Sequence, residues 1–261
     1  MASVPRLCRE LLQIDEPKRT RKRGDWTRDE EWDEGFWDEL PRRAAEALAL
    51  EGEGWEAVIV DGATDMSDAA WKLIDACAPN VLWACEDPLR RFWLDRRVPR
   101  ALFDEVIELS EQHRPQAIHD VALRYLADDP GEDPLPAEVS IDERGVDEVV
   151  QELLVDAKPW HVAVLSLRGR GERRGAVRDR PVRGAVGGSS RRFEEALVLE
   201  TFLRFSGLER RTVVLTDLDL VEDRYEHRMY LALTRATERV IVCAPREVIE
   251  HDEVLYGALP E

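Results

Sequence analysis

The sequence predicts an α/β protein built on parallel sheets with flanking helices. Three observations carry that expectation. Short apolar runs rich in β-branched residues recur along the chain, as in Val58-Ile59-Val60, Val213-Val214-Leu215 and Val240-Ile241-Val242. Uninterrupted runs of this kind suit strands buried on both faces. The first two end in an acid, Asp61 and Asp217. Segments with helical spacing lie between the runs, and strand, acidic turn, helix, strand is the rhythm of a parallel βαβ unit.

Taken in order, Leu7-Cys8-Arg9-Glu10-Leu11-Leu12 is a short amphipathic piece. A basic cluster follows at Lys18, Arg19, Arg21, Lys22 and Arg23, and reads as a solvated loop. The acidic stretch from Trp26 to Leu40 places Trp32, Phe36, Trp37 and Leu40 at roughly helical spacing, as packing residues. Arg42–Leu50 is predicted as a helix, Trp55–Val60 as a strand and Asn80–Cys85 as another. Ser67 is placed to cap the intervening helix, whose apolar positions are Ala70, Trp71, Ile74 and Cys77. Helices are expected over Ala101–Gln112, over Gln116–Leu126 with Pro115 at its start, and over Val146–Val155. Asp128–Asp142 is a Pro-, Gly- and acid-rich loop with room for a short strand. Trp160–Leu167 and Thr212–Thr216 are strands. Arg168–Arg192 holds nine arginines among glycines and serines, the composition of a flexible loop and a concentrated positive field. Met229–Cys243 starts as a helix, with Tyr230, Leu233 and Ala236 on one face, and ends as a strand. Arg235 and Arg239 then lie one helical turn apart at the junction, read either as solvated surface arginines or as charges aimed at a phosphate.

A chain of 261 residues has room for one large domain or two small ones. Its formal charge of −18 argues against strong free-standing nucleic-acid binding, which rests on phosphate neutralisation. Cys8, Cys77, Cys85 and Cys243 lie far apart, without metal-ligand spacing, and read as reduced thiols. No apolar run approaches the roughly 20 residues of a membrane span, and no apolar signal core opens the chain, so a cytoplasmic protein is expected.

Five stretches, in order, resemble the motifs of superfamily 1 UvrD/Rep-like DNA helicases. Val58-Ile59-Val60-Asp61-Gly62-Ala63-Thr64-Asp65 resembles motif II, usually V-D-E-A-Q-D. Glu86-Asp87-Pro88-Leu89-Arg90 resembles motif III, G-D-P-x-Q. Leu109-Ser110-Glu111-Gln112-His113-Arg114 resembles motif IV, and Leu199 to Glu209, followed by the strand Val213-Val214-Leu215, resembles motif V, T-x-x-x-x-K-G-L-E. Tyr230-Leu231-Ala232-Leu233-Thr234-Arg235-Ala236 resembles motif VI, Y-V-A-L-T-R-A. The resemblance covers about residues 55–245. It also makes Val198–Thr201 a strand, against the helix-favouring composition of Glu194–Phe205.

The resemblance implies RecA-like parallel sheets, with a truncated first domain over residues 1–98 and a complete second over 99–261. It implies ATP and Mg²⁺ in the cleft between such domains, and 3′-to-5′ movement on single-stranded DNA. By the same carry-over Asp61 holds Mg²⁺ through water, and Arg114 and Arg235 sense the γ-phosphate. Asp87 belongs to the coupling motif, and Gly207, Glu209 and Arg239 to the nucleotide-facing set. Arg173, Arg174, Arg191 and Arg192 are the expected nucleic-acid contacts. The departures are as informative. No G-x-x-x-x-G-K-[ST] occurs, so nothing cradles the β- and γ-phosphates. Gly62 replaces the motif II Glu that would polarise the attacking water, a loss that typically costs ~10²–10⁴-fold. Thr64 and Arg90 stand where the family has Gln, and Ser206 where it has Lys. The expectation is a degenerate helicase-like ATPase module, inactive alone, that works through a partner or nucleic acid. The alternative is an ATPase half completed in trans by a P-loop-bearing protein. With its central strand missing, the first sheet is expected to be covered by the aromatic N-terminal segment, or to invite a partner.

Overall fold

A computed structural model describes residues 4–14, 34–51, 54–77, 80–109, 115–131, 133–168, 194–218, 220 and 223–258. The chain divides into two compact units, Met1–Glu108 and Leu109–Glu261. Among the described residues no helix is long and apolar enough to cross a membrane.

In the first unit, helices α1 (Val4–Leu12) and α2 (Glu34–Glu51) precede strand β1 (Ala57–Val60), helix α3 (Asp68–Ala76) and strand β2 (Val81–Ala84). α2 starts earlier than the Arg42–Leu50 helix expected and runs through Pro41, which removes one backbone hydrogen bond from its interior. α3 begins as its sequence dictates, with the Ser67 hydroxyl accepting from the Ala70 amide at 3.3 Å. β1 and β2 pair in parallel, Ala57 opposite Val81 and Ile59 opposite Trp83. Their inner face, Val58, Val60, Leu82 and Ala84, packs with Trp71 and Ile74 of α3 and with Leu102 and Phe103. The Trp71 and Phe103 rings meet edge to face at 6.0 Å.

α1 and α2 bring Cys8, Leu40, Ala44 and Leu48 against Leu73 and Cys77, and so pack on α3. Trp26 and Trp32, expected among the cover of this sheet, lie outside the described residues. The helix expected over Ala101–Gln112 is absent where described. A 3-10 turn at Arg100–Leu102 is followed by non-helical chain to residue 109. Val106, Ile107 and Leu109 are exposed there, so the helical periodicity finds nothing to pack on.

The second unit holds helix α4 (Gln116–Arg124), strand β3 (Val139–Asp142), helix α5 (Val146–Asp156), and strands β4 (Val162–Ser166), β5 (Val198–Thr201) and β6 (Arg210–Thr216). Helix α6 (Tyr225–Leu233), strand β7 (Ala236–Cys243) and helix α7 (Arg246–Ile249) complete it. The five strands form one parallel sheet in the order β3-β7-β6-β4-β5. β5 is the strand that the motif resemblance requires. β4 is buried along its whole length. One core cluster sets Val149 and Val150 of α5 against Val162, Val164, Val214 and Ile241. Each such residue contributes about 1.5–3 kcal/mol by leaving water.

The helix-to-strand junction falls earlier than its spacing suggests. α6 stops at Leu233, where the Thr234 hydroxyl donates to the Leu231 carbonyl at 3.1 Å. Ala236 already belongs to β7 and pairs with Arg210. Arg239 therefore sits in a strand opposite Thr212, and Arg235 and Arg239 do not share a helical turn.

A buried polar cluster ties this unit together. The Asp252 carboxylate is 2% exposed and accepts from the Tyr125 and Tyr225 hydroxyls and from the Val254 and Leu255 amides. Burial, then the Asp252 charge, pushes both phenols well above their usual range.

Candidate functional site

Each unit presents its candidate residues at strand ends, and each is described by itself. In the first unit Asp61 follows β1 and is exposed. Gly62 is left-handed, at φ +69°, and opens a 3-10 turn over Ala63–Asp65. The turns after β1 and β2 are stitched together. The Thr64 hydroxyl donates to the Asp87 carbonyl at 3.2 Å and accepts from the Asp87 amide at 3.0 Å. Asp65 accepts from the Phe92 and Trp93 amides at 3.0 and 3.3 Å, and Arg96 donates to the Asp65 carbonyl. The Asp87 carboxylate caps its own 3-10 turn by accepting from the Leu89 amide at 3.1 Å. The motif II-like and motif III-like stretches are thus one hydrogen-bonded body. Thr64 and Asp65 both join them. In the sequence Thr64 stood out only where the resembled motif has Gln.

Asp61 offers one carboxylate. Among the described residues no group of three or more His, Cys, Asp or Glu side chains is arranged to hold a metal. With the single carboxylate of Asp61 and Gly62 beside it, the described residues of this turn do not by themselves make up a Mg·ATP centre.

In the second unit the stretches resembling motifs V and VI meet at the amino ends of adjacent strands. Gly207 takes φ +83° in the turn before β6, a conformation that suits glycine. The next strand residue but two, Arg210, donates its amide to the Arg235 carbonyl at 3.1 Å. Glu209 is exposed beside this junction, and Arg239 is exposed further along β7. Arg235 is 2% exposed, with Nε donating to the Leu231 carbonyl at 3.1 Å and a terminal nitrogen to the Thr234 hydroxyl at 3.3 Å. Burial lowers the pKa of the neighbouring Arg210 guanidinium, opposed by Glu194. Arg114, Arg173, Arg174, Arg191 and Arg192 lie outside the described residues.

The opposite edge of the same sheet carries a constellation that sequence reasoning missed. From the carboxyl end of β4 the chain turns toward β5, and from that of β6 toward β7. Adjacent strands whose connections part this way mark the switch point of an open α/β sheet. Ser166 and Asp217 stand there, the Ser166 hydroxyl donating to the Asp217 carboxylate at 2.7 Å. Asp217 is held at φ +59°, which is uncommon without glycine. Nearby, Arg228 is buried, donates to the Leu167 and Asp223 carbonyls and lies over the Phe202 ring at 5.5 Å. The acid after β6 was visible in the sequence. Its partner serine was hidden inside an apolar run.

No protein-family model matches the chain, and none of the curated proteins compared with it matches.

Proposed function

We propose that this chain is a RecA-like module of the superfamily 1 helicase type that keeps the scaffold and has lost hydrolysis, and that works by binding. The observation that carries the reading is the junction at the amino ends of β6 and β7. Two stretches that resemble consecutive helicase motifs, about thirty residues apart in sequence, are joined there by the Arg210 amide and the Arg235 carbonyl. The α/β architecture with parallel sheets is compatible with that lineage.

Loss of hydrolysis is supported independently in the first unit. Gly62 replaces a glutamate and has a backbone that glutamate rarely adopts, so the site has changed in shape as well as in chemistry. The guanidinium of Arg235 is engaged with its own helix terminus. Binding is the remaining role, and the arginine-rich stretch supplies cations for single-stranded DNA.

The test is a hydrolysis assay on the isolated chain with Mg²⁺ and ATP, with and without single-stranded DNA. Phosphate release at background level is expected in both. Turnover above background that disappears in an Arg235→Ala variant would overturn the proposal. For DNA, affinity should fall steeply with salt, and replacing Arg173, Arg174, Arg191 and Arg192 by Ala should flatten that slope. Undetectable or salt-insensitive binding removes DNA as the ligand.

A further inference from the structure

The two-stranded sheet of the first unit has one packed face and one bare face. By strand alternation the bare face carries Ala57 and Ile59 of β1 with Val81 and Trp83 of β2. Ile59 is 74% exposed, Trp83 57% and Val81 47%. Cys85 continues the face: its amide extends the ladder to the Val60 carbonyl, and it is the exposed cysteine of the four. No strand flanks β1 or β2 on their outer edges among the described residues.

Parallel strand pairs are stable when both faces are covered, and in α/β proteins the cover is helical. α3 supplies one helical layer, with Trp71 and Ile74 on the inner face. Among the described residues no second layer covers the other face. The bare face itself holds no charged residue. By the same alternation Asp61, which follows β1 and is exposed, ends this face in an acid, while Glu56 and Glu86 fall on the packed side, Glu86 bridged to Arg100 at 2.7 Å. A second copy would set acid against acid in a chain of charge −18.

We propose that this face is the docking surface for an amphipathic helix of a partner protein, with an apolar stripe flanked by lysine or arginine. The stripe covers Ile59, Val81 and Trp83, and a flanking cation meets Asp61 at the carboxyl end of β1. The interaction is of the helix-in-groove kind, with the helix supplying a second layer. It extends the binding role proposed above but stands on the sheet alone. ATP turnover by the chain would sink that role and leave this face untouched.

The probe is a synthetic amphipathic peptide of roughly 18 residues, about five helical turns, with leucines on one face and lysines on its flanks. Its controls are a scrambled peptide of the same composition and a glutamate-flanked version. Readouts are the anisotropy of labelled peptide and the rate of maleimide addition at Cys85. The lysine-flanked amphipathic peptide should bind best and slow Cys85 labelling severalfold. An Ile59→Lys/Trp83→Lys variant should keep the melting temperature of the parent and bind it about tenfold more weakly. Equal binding of the scrambled peptide, or unchanged binding by the variant, would overturn the proposal. So would a lowered melting temperature in the variant, which would mean the face is packed in the free chain. Self-association in sedimentation that Ile59→Lys abolishes would assign the face to a second copy instead.

Discussion

Two parallel sheets in one chain meet water differently. β4 of the five-stranded sheet is buried at every residue, while β1 of the two-stranded sheet alternates between exposed and covered positions. Their sequences are nearly interchangeable: Val-Ala-Val-Leu against Ala-Val-Ile-Val. Composition therefore does not decide burial. The number of neighbouring strands and helical layers does. An apolar run is a requirement for cover, and the second sheet meets it within its own unit.

The sharpest way to break the comparison is to put one charge into each sheet. Val164→Asp in β4 buries an unpaired carboxylate and should cost at least about 4 kcal/mol, enough to unfold its unit in a denaturant titration. Asp252→Ala comes next. It leaves two phenols and two amides without their acceptor and should cost about 3 kcal/mol, with Tyr125→Phe nearer 1–2 kcal/mol. A pH titration reads the two phenols of this cluster together with the Cys243 thiol. Burial raises the Tyr125 and Tyr225 phenols above 10.0, and burial, then Asp142, raises the Cys243 thiol from 9.0 to about 12. The folded state then holds protons that the unfolded chain releases. Stability from these groups is complete below pH 9 and declines as pH rises beyond it, which thermal melts from pH 8 to 11 should record.

Smaller effects follow in the first unit. Gly62→Glu places the acid of the resembled helicase motif on a left-handed backbone. It should cost about 1–2 kcal/mol and yield no ATP turnover. Ile59→Lys should shift stability by no more than about 0.5 kcal/mol, the surface counterpart of Val164→Asp. A loss for Ile59→Lys as large as that for Val164→Asp would erase the distinction between the sheets.

Much of the fold was legible because the local signals agree with their surroundings. Ser67 caps where a serine before an apolar run should, and Pro115 precedes α4. Other features were set by neighbours far away in sequence. Val106, Ile107 and Leu109 have helical spacing but no surface to meet. Thr234 and Ala236 leave the helix early because β6 offers a strand edge to pair with. At the candidate site, Asp61, Asp87 and Asp217 stood out as acids at strand ends. Thr64 and Ser166 did not, because a hydroxyl inside or beside an apolar run carries no pattern until its partner is in place. Arg228 carries no pattern of its own in the sequence, and its contacts with Leu167 and Phe202 depend on a strand and a turn that one helix cannot foretell.

Among the described residues strand β3 is hydrogen-bonded to a single neighbour, and that neighbour, β7, is made about a hundred residues later. At synthesis rates of about 5–20 residues per second, the ribosome takes roughly 5–20 s to deliver it. During that interval Val139 and Ile141 have no ladder to join. The nascent second unit is then an incomplete sheet, and its exposure to chaperones and proteases is fixed by the order in which its strands are translated.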